Sequence, residues 1–202
     1  MKKIMFNDKY GLTEAVLNGR KTQTRRIITC PKEFKGEWVA GFYVYRRQSD
    51  NAIIQWPCMY DADECTFDGG EILPKYKIGE VVAVAQAYND FYNDECDPRI
   101  FPDGAGWTNK MFVRADLMPH QIRITNVRVE RLNDISESDC TAEGIISNID
   151  PMTNLTHYMF PNWDEDYISN RGAYAALIDH ISGKGTWESN PYVFVYDFEL
   201  VK

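Results

Sequence analysis

Two long segments with strand-like alternation, both in the second half of the chain, constrain its fold most. In Gln121–Arg131, isoleucine and valine alternate with charged or polar residues, which is the pattern of a half-buried β-strand, and the alternation slips near Asn126. Residues 192–201 follow Pro191 and carry large apolar residues, mostly aromatic, at every second position. The chain is therefore predicted to form its core around β-structure.

Shorter elements of both kinds surround these strands. Apolar residues at helical spacing, bounded by residues typical of turns, predict helices at 12–17, 135–144 and 166–181. Further strands are predicted at 3–6, 80–87 and 110–114, with a hairpin of 37–45 and 52–56. Two polar stretches, 58–76 and 89–109, show neither the helical nor the strand spacing of apolar residues and are predicted to be long loop insertions. Residues 1–202 are thus predicted to form one α+β domain, a small mixed or antiparallel β-barrel with about three flanking helices.

The charge balance excludes some classes of function. The net charge is −8 and the isoelectric point is near 4.9. Such a chain does not suit the coating of long nucleic acids, because that binding scales with the number of phosphates neutralised. No stretch approaches the roughly 20 consecutive apolar residues of a membrane span, and no signal-peptide core follows Met1. We expect a cytoplasmic protein without a membrane partner, and no protein partner can be inferred.

The five cysteines predict neither a disulfide framework nor a zinc site. Their number is odd, their spacing is wide, and no C-x-x-C motif is present. Cys58, Cys65 and Cys96 could in principle share a metal ion, but the three histidines are not spaced to complete a site. Reduced thiols are favoured, and neither a metal nor another cofactor is predicted.

A basic segment of residues 18–26 is the strongest functional signal. It follows the first predicted helix and interleaves cations with hydroxyls in an otherwise acidic chain: Arg20, Lys21, Thr22, Thr24, Arg25 and Arg26. This composition is typical of a pocket for an anionic or polar ligand. Arg20, Thr22, Arg25 and Arg26 are therefore candidate contacts for such a ligand.

Lys21 and Thr24 form a chemically sensible pair within this segment. Residues three apart share a face on a helical turn and can reach one small ligand even on an irregular turn. A threonine hydroxyl needs a base to become a nucleophile, and neighbouring arginines disfavour the ammonium form of Lys21. The alternative is structural: Arg20 and Lys21 complement the negative end of the preceding helix, and the threonines are ordinary strand residues.

Glu143 breaks a local rule of helix electrostatics. It lies in the last turn before Gly144, where the helix macrodipole favours Lys or Arg. A carboxyl group in this position has its neutral form favoured, as a general acid requires, and such inconsistencies concentrate at functional sites. The alternative is an exposed glutamate that costs a few tenths of a kcal/mol.

Several segments together resemble the ASCH domain family, most closely its phage and prophage members in bacteria. The resemblance covers about half the chain in order, and its most specific part is the G-R-K-T-x-T-R-R turn of residues 19–26. The other matching segments are residues 76–84, 124–132, 135–136, 142–144, 183–187 and 190–193.

This resemblance implies a PUA-like β-barrel whose cleft faces RNA or a nucleoside. The basic turn would line this cleft, with Arg20, Thr22, Arg25 and Arg26 as the nucleic-acid contacts. Small bacterial relatives with the same turn are amidohydrolases that deacylate N4-acetylcytidine. By motif, their catalytic lysine, threonine and glutamate fall on Lys21, Thr24 and Glu143. The expected function is therefore binding of RNA or a modified nucleoside, with hydrolysis of an acyl amide on a base. A non-catalytic RNA-binding module and a metal-independent ribonuclease are the alternatives.

Overall fold

The structure is a computed structural model that describes residues 1–92 and 104–201. It is an α+β fold, as predicted. The strands in the described part of the chain are β1 (Lys3–Ile4), β2 (Gln23–Ile27), β3 (Glu33–Phe34), β4 (Glu37–Trp38), β5 (Gly41–Tyr43), β6 (Cys58–Tyr60), β7 (Thr66–Glu71), β8 (Val81–Val84), β9 (Gln121–Arg131), β10 (Ile146–Ile149), β11 (Thr156–Met159) and β12 (Tyr192–Leu200). The α-helices in these same ranges are α1 (Leu12–Leu17), α2 (Glu137–Ala142), α3 (Asn170–Ser182) and α4 (Thr186–Ser189).

A five-stranded mixed sheet organises the fold. Its strand order is β1-β8-β9-β12-β2, with β1 and β8 parallel and the other neighbours antiparallel. Strand β12 is buried on both faces, since Val193 and Val195 on one face and Tyr196 on the other are 0–1% exposed. The predicted slip near Asn126 is confirmed: the pairing of β9 with β12 shifts between Asp197 and Phe198, which face Asn126 and Ile124.

Strand β2 lies at the edge of this sheet and positions the basic segment. It pairs with β12 so that Thr24 faces Tyr196 and Arg25 faces Val195. Because side chains alternate along a strand, Arg25 and Thr24 leave β2 on opposite faces. Helix α2 contacts β2 and α3, and its Asp139 binds Arg25, so this helix covers the Arg25 face.

The predicted barrel is not closed among the described residues. Strands within residues 1–92 and 104–201 form four separate sheets of five, three, two and two strands. The predicted loop at 58–76 is wrong in part, because β6 and β7 form an antiparallel hairpin that continues to β5 as a three-stranded sheet. Strand β7 is largely exposed and shows little hydrophobic alternation, so its sequence gives no strand signal.

Three other local predictions also need correction. The predicted pairing of 37–45 with 52–56 is present only beside its turn, where Arg46 and Ile53 form a β-bridge and the Ile54 N–H donates to the Tyr45 carbonyl at 3.2 Å. Residues 41–43 pair with β6 instead. The predicted strand at 110–114 is a 3-10 helix over Lys110–Phe112. Helix α3 begins at Asn170, where the Ser169 hydroxyl accepts from the backbone N–H of Gly172, and not at residue 166.

The predicted insertion at 89–109 lies partly outside the described residues, and Cys96 lies wholly outside them. Its described ends carry apolar side chains, Phe91, Tyr92 and Trp107, that pack against a small second cluster including Tyr88 and Val113. Among the helices of the described ranges, none combines the length and apolarity needed to cross a membrane.

Candidate functional site

The turn between α1 and β2 is tied to the end of α2 by backbone hydrogen bonds. Gly19, with a φ of 75°, makes the sharp turn after α1. The Lys21 N–H then donates to the Ala15 carbonyl at 2.8 Å, and the Thr22 N–H donates to the Ala142 carbonyl at 2.9 Å. Two segments about 120 residues apart in sequence therefore meet at one point.

Helix α2 places Glu143 at this meeting point. The Ser136 hydroxyl caps the helix by accepting from the Asp139 N–H at 3.1 Å, as the sequence predicts. Gly144 ends it with a φ of 104°, and a Cβ there would lie 3.5 Å from the Lys21 Cβ. The helix end is thus packed closely against the basic turn, and the Glu143 side chain is only 3% exposed.

Lys21 and Glu143 form a buried ion pair. The Lys21 ammonium contacts Glu143 Oε2 and also donates to the Glu143 carbonyl oxygen at 2.8 Å. Lys21 is 2% exposed. Burial lowers the pKa of Lys21; Glu143 opposes this shift, and the charges of Arg26 and Arg25 add to it. The site therefore makes the Lys21 ammonium easier to deprotonate and keeps a proton acceptor, Glu143, in contact with it.

Arg25 holds the other oxygen of Glu143 and connects it to a larger network. Its guanidinium lies 3.1 Å from Glu143 Oε1, 2.7 Å from Asp139 and 2.7 Å from Glu130, and the side chain is fully buried. Burial alone would lower the pKa of Arg25, but Glu143 and the other partners outweigh it and raise the pKa. Arg25 therefore stays charged and fixes the Glu143 carboxylate in place.

A cavity of about 280 Å³ opens beside this ion pair. Lys21, Thr24 and Glu143 all line it, together with Arg25, Arg26 and Tyr174, and its apolar wall includes Phe6, Leu177 and Ile178. Residues that carry an amine, an alcohol and a carboxyl group, from two segments far apart in sequence, thus border one cavity. Among the described residues, no hydrogen bond joins Lys21 to the Thr24 hydroxyl, and both acceptors of the Lys21 ammonium belong to Glu143.

The four residues predicted to contact nucleic acid lie in different environments. Arg26 is exposed, lines the cavity and donates to the Met5 carbonyl at 2.7 Å. Arg25 is turned inward to the carboxylates described above. Thr22 is exposed and Arg20 half-buried, and neither lines the cavity. Arg20 Nη1 is buried without a hydrogen-bond partner among the described residues.

Tyr174 is the main residue of the site that the sequence did not reveal. It lies on α3, is 1% exposed, and its hydroxyl lies 3.4 Å from Glu143 Oε1. Burial and the neighbouring Glu143 raise the pKa of Tyr174 well above its ordinary value. Nothing in the local spacing marks this tyrosine, since its role comes only from the packing of α3 on α2.

Within residues 1–92 and 104–201, no group of three or more His, Cys, Asp or Glu side chains could hold a metal ion. No protein-family model, curated protein or solved structure matches this chain.

Proposed function

We propose that this protein is a PUA-like hydrolase that removes an acyl group from the exocyclic amine of a nucleobase, with N4-acetylcytidine as the model substrate. One observation carries the proposal: Lys21, Thr24 and Glu143, a potential base, nucleophile and acid, line the same cavity. The buried location favours such chemistry, because charged and polar groups act more strongly on one another where water is excluded.

The Lys21–Glu143 contact supplies the two proton carriers that amide hydrolysis requires. Transfer of one proton from the Lys21 ammonium to Glu143 leaves a neutral amine beside a carboxylic acid. When the substrate enters, the Lys21 amine exchanges its contact with Glu143 for the Thr24 hydroxyl and takes its proton. Thr24 Oγ1 then attacks the acyl carbon.

Collapse of the tetrahedral intermediate breaks the carbon–nitrogen bond and releases the base. Glu143 gives its proton to the leaving amine, and the acyl group remains as an ester on Thr24. Water then attacks this ester, its proton passes to Glu143, and the departing Thr24 oxygen recovers a proton from the Lys21 ammonium. The acyl group leaves as a carboxylic acid, and return of one proton from Glu143 to the Lys21 amine restores the original ion pair.

Incubation with N4-acetylcytidine, with release of cytidine followed by chromatography, tests this reaction. Thr24→Val removes only the hydroxyl, and we expect it to lose essentially all turnover, whereas Lys21→Ala is expected to lose about 10²–10⁴-fold. Thr22→Val is the matched control, because Thr22 belongs to the same turn but does not line the cavity. Wild-type turnover no higher than that of Thr24→Val would remove the enzymatic proposal.

A binding module without catalysis is the second candidate. It is favoured by the engagement of Lys21 with Glu143 and not with Thr24. This candidate predicts saturable binding of N4-acetylcytidine or a short RNA without acyl release, and Arg26→Ala should flatten the salt dependence of RNA binding. Scission of the RNA strand without acyl release would indicate a ribonuclease instead.

A further inference from the structure

A second cavity, of about 360 Å³, adjoins the first and is lined by cations. The two cavities share Met5, Arg26 and Ile27 in their walls. The second one adds Lys3 and Lys75, together with the aromatic rings of Tyr76, Phe194 and Tyr196. Among the described residues that line it, none is Asp or Glu. The chain has a net charge of −8, so a cavity whose charged lining residues are all basic differs from the overall charge of the protein. We call it the basic cavity.

Among the residues that the structure describes, no carboxylate forms an ion pair with Lys3, Arg26 or Lys75 of the basic cavity. The Lys3 ammonium donates to the carbonyls of Met111 at 2.6 Å and Val113 at 2.7 Å, which are neutral acceptors. Arg26 likewise donates to the Met5 carbonyl. Burial lowers the pKa of Lys3, and the like charge of Lys75 lowers it further. An anion between these groups would relieve their repulsion.

The carboxylate of Glu80 is close enough for its charge to act on Tyr76 in the cavity wall, but this carboxylate already has partners of its own. It forms an ion pair with Lys2 at 3.1 Å and accepts from the Lys77 backbone N–H at 2.9 Å. The Lys75 ammonium, by contrast, lies over the Tyr76 ring at 5.4 Å from its centroid, and this side chain is exposed. Lys75 is therefore free to turn toward a ligand.

The size of the first cavity indicates what the second would hold. Sites for small molecules occupy about 300–1,000 Å³. A cavity of about 280 Å³ accommodates a base with its acyl group better than a whole nucleotide. The sugar and any phosphate must extend beyond it, and the shared wall at Arg26 leads into the basic cavity.

We propose that the basic cavity is a phosphate subsite formed by Lys3, Arg26 and Lys75, so that the ligand of the candidate active site is a nucleotide unit and not a free nucleoside. Phosphate suits the site because cationic N–H groups bind its oxygens through charge-assisted hydrogen bonds. This inference rests on the proposed function for the identity of the base, but the anion site is defined by its own residues.

Calorimetric titration with cytidine and with cytidine 5′- and 3′-monophosphate tests the subsite without turnover. We expect at least one monophosphate to bind on the order of tenfold more tightly than cytidine, as one charge-assisted contact predicts. Lys75→Gln should remove most of this difference and leave cytidine affinity unchanged. Lys77→Gln is the matched control, since Lys77 lies two residues away and does not line the basic cavity.

Equal binding of cytidine and both monophosphates by wild type would overturn the inference, and so would equal losses in Lys75→Gln and Lys77→Gln. Acyl release from N4-acetylcytidine is measured separately. Acyl release without a phosphate effect refutes only the subsite, whereas Lys75-dependent binding without acyl release refutes only the hydrolase. A short single-stranded RNA containing one cytidine distinguishes the phosphate source: tighter binding than the monophosphate indicates RNA, and weaker binding indicates a free nucleotide.

Discussion

Replacement of Arg25 by Met is the sharpest test of how the site is held together. The Arg25 side chain is fully buried and contacts three carboxylates, those of Glu130, Asp139 and Glu143. Met has similar length and suits the buried environment, but it leaves the carboxylates without their common partner. The variant therefore measures the cost of removing one charge from a buried network.

The size of this cost follows from what each carboxylate retains. Removing one partner of a buried ion pair typically costs about 3–5 kcal/mol. Here Glu143 keeps its contact with Lys21, while Glu130 and Asp139 keep Arg128 at 3.1 and 3.0 Å. Because no carboxylate is left without a cation, we expect the lower end, about 3 kcal/mol. That is a large share of the roughly 5–15 kcal/mol by which domains are stable.

Urea unfolding of wild type and Arg25→Met measures this difference directly. Arg128→Met is the matched control: Arg128 also contacts Glu130 and Asp139, but its side chain is 33% exposed. Solvent screening limits its expected cost to about 1 kcal/mol. A loss in Arg25→Met no greater than that in Arg128→Met would refute the view that burial of Arg25 makes this network structurally essential.

Two further predictions concern the proposed base and the helix end. The pKa of Lys21 lies below its ordinary 10.5, so between these two values the unfolded chain binds more protons and the free energy of unfolding rises with pH. The free energy of unfolding of wild type minus that of Lys21→Met should therefore increase as the pH rises toward 10.5, and a flat or falling difference would contradict the shift. Gly144→Ala should destabilise more than Gly19→Ala in thermal unfolding, because the φ of 104° at Gly144 lies further from the left-handed helical region that other residues tolerate than the φ of 75° at Gly19. A Cβ would find room at both positions, so equal losses would contradict a role for this difference in φ.

The parts of the fold that were predictable from sequence are those with a strong local signal. Alternation identifies β9 and β12, a run of small apolar residues identifies β8, and Ser136 with Gly144 marks the limits of α2. The hairpin of β6 and β7 was missed because its residues are mostly exposed, and its order comes from pairing with β5. Whether the strands close into a barrel likewise depends on tertiary geometry, which no local sequence pattern specifies.

The candidate site shows the same division between local and distant information. Composition singles out the basic turn, and the unfavourable helix position singles out Glu143, so both segments could be proposed separately. Their contact depends on the hydrogen bond from the Thr22 N–H to Ala142, which no spacing rule predicts. The inward turn of Arg25 was also hidden, because its carboxylate partners Glu130 and Asp139 come from β9 and α2.

The shared use of Glu143 by fold and site determines which variants can separate structure from chemistry. Its two carboxylate oxygens face different cations, Arg25 at Oε1 and Lys21 at Oε2. An amide in its place could offer an acceptor to only one of them, so Glu143→Gln must disturb stability as well as any proton transfer. Thr24 has no part in these ion pairs, and its hydroxyl can be removed without leaving a buried charge unpaired. A loss of acyl release in Thr24→Val with unchanged stability would therefore report on the chemistry alone.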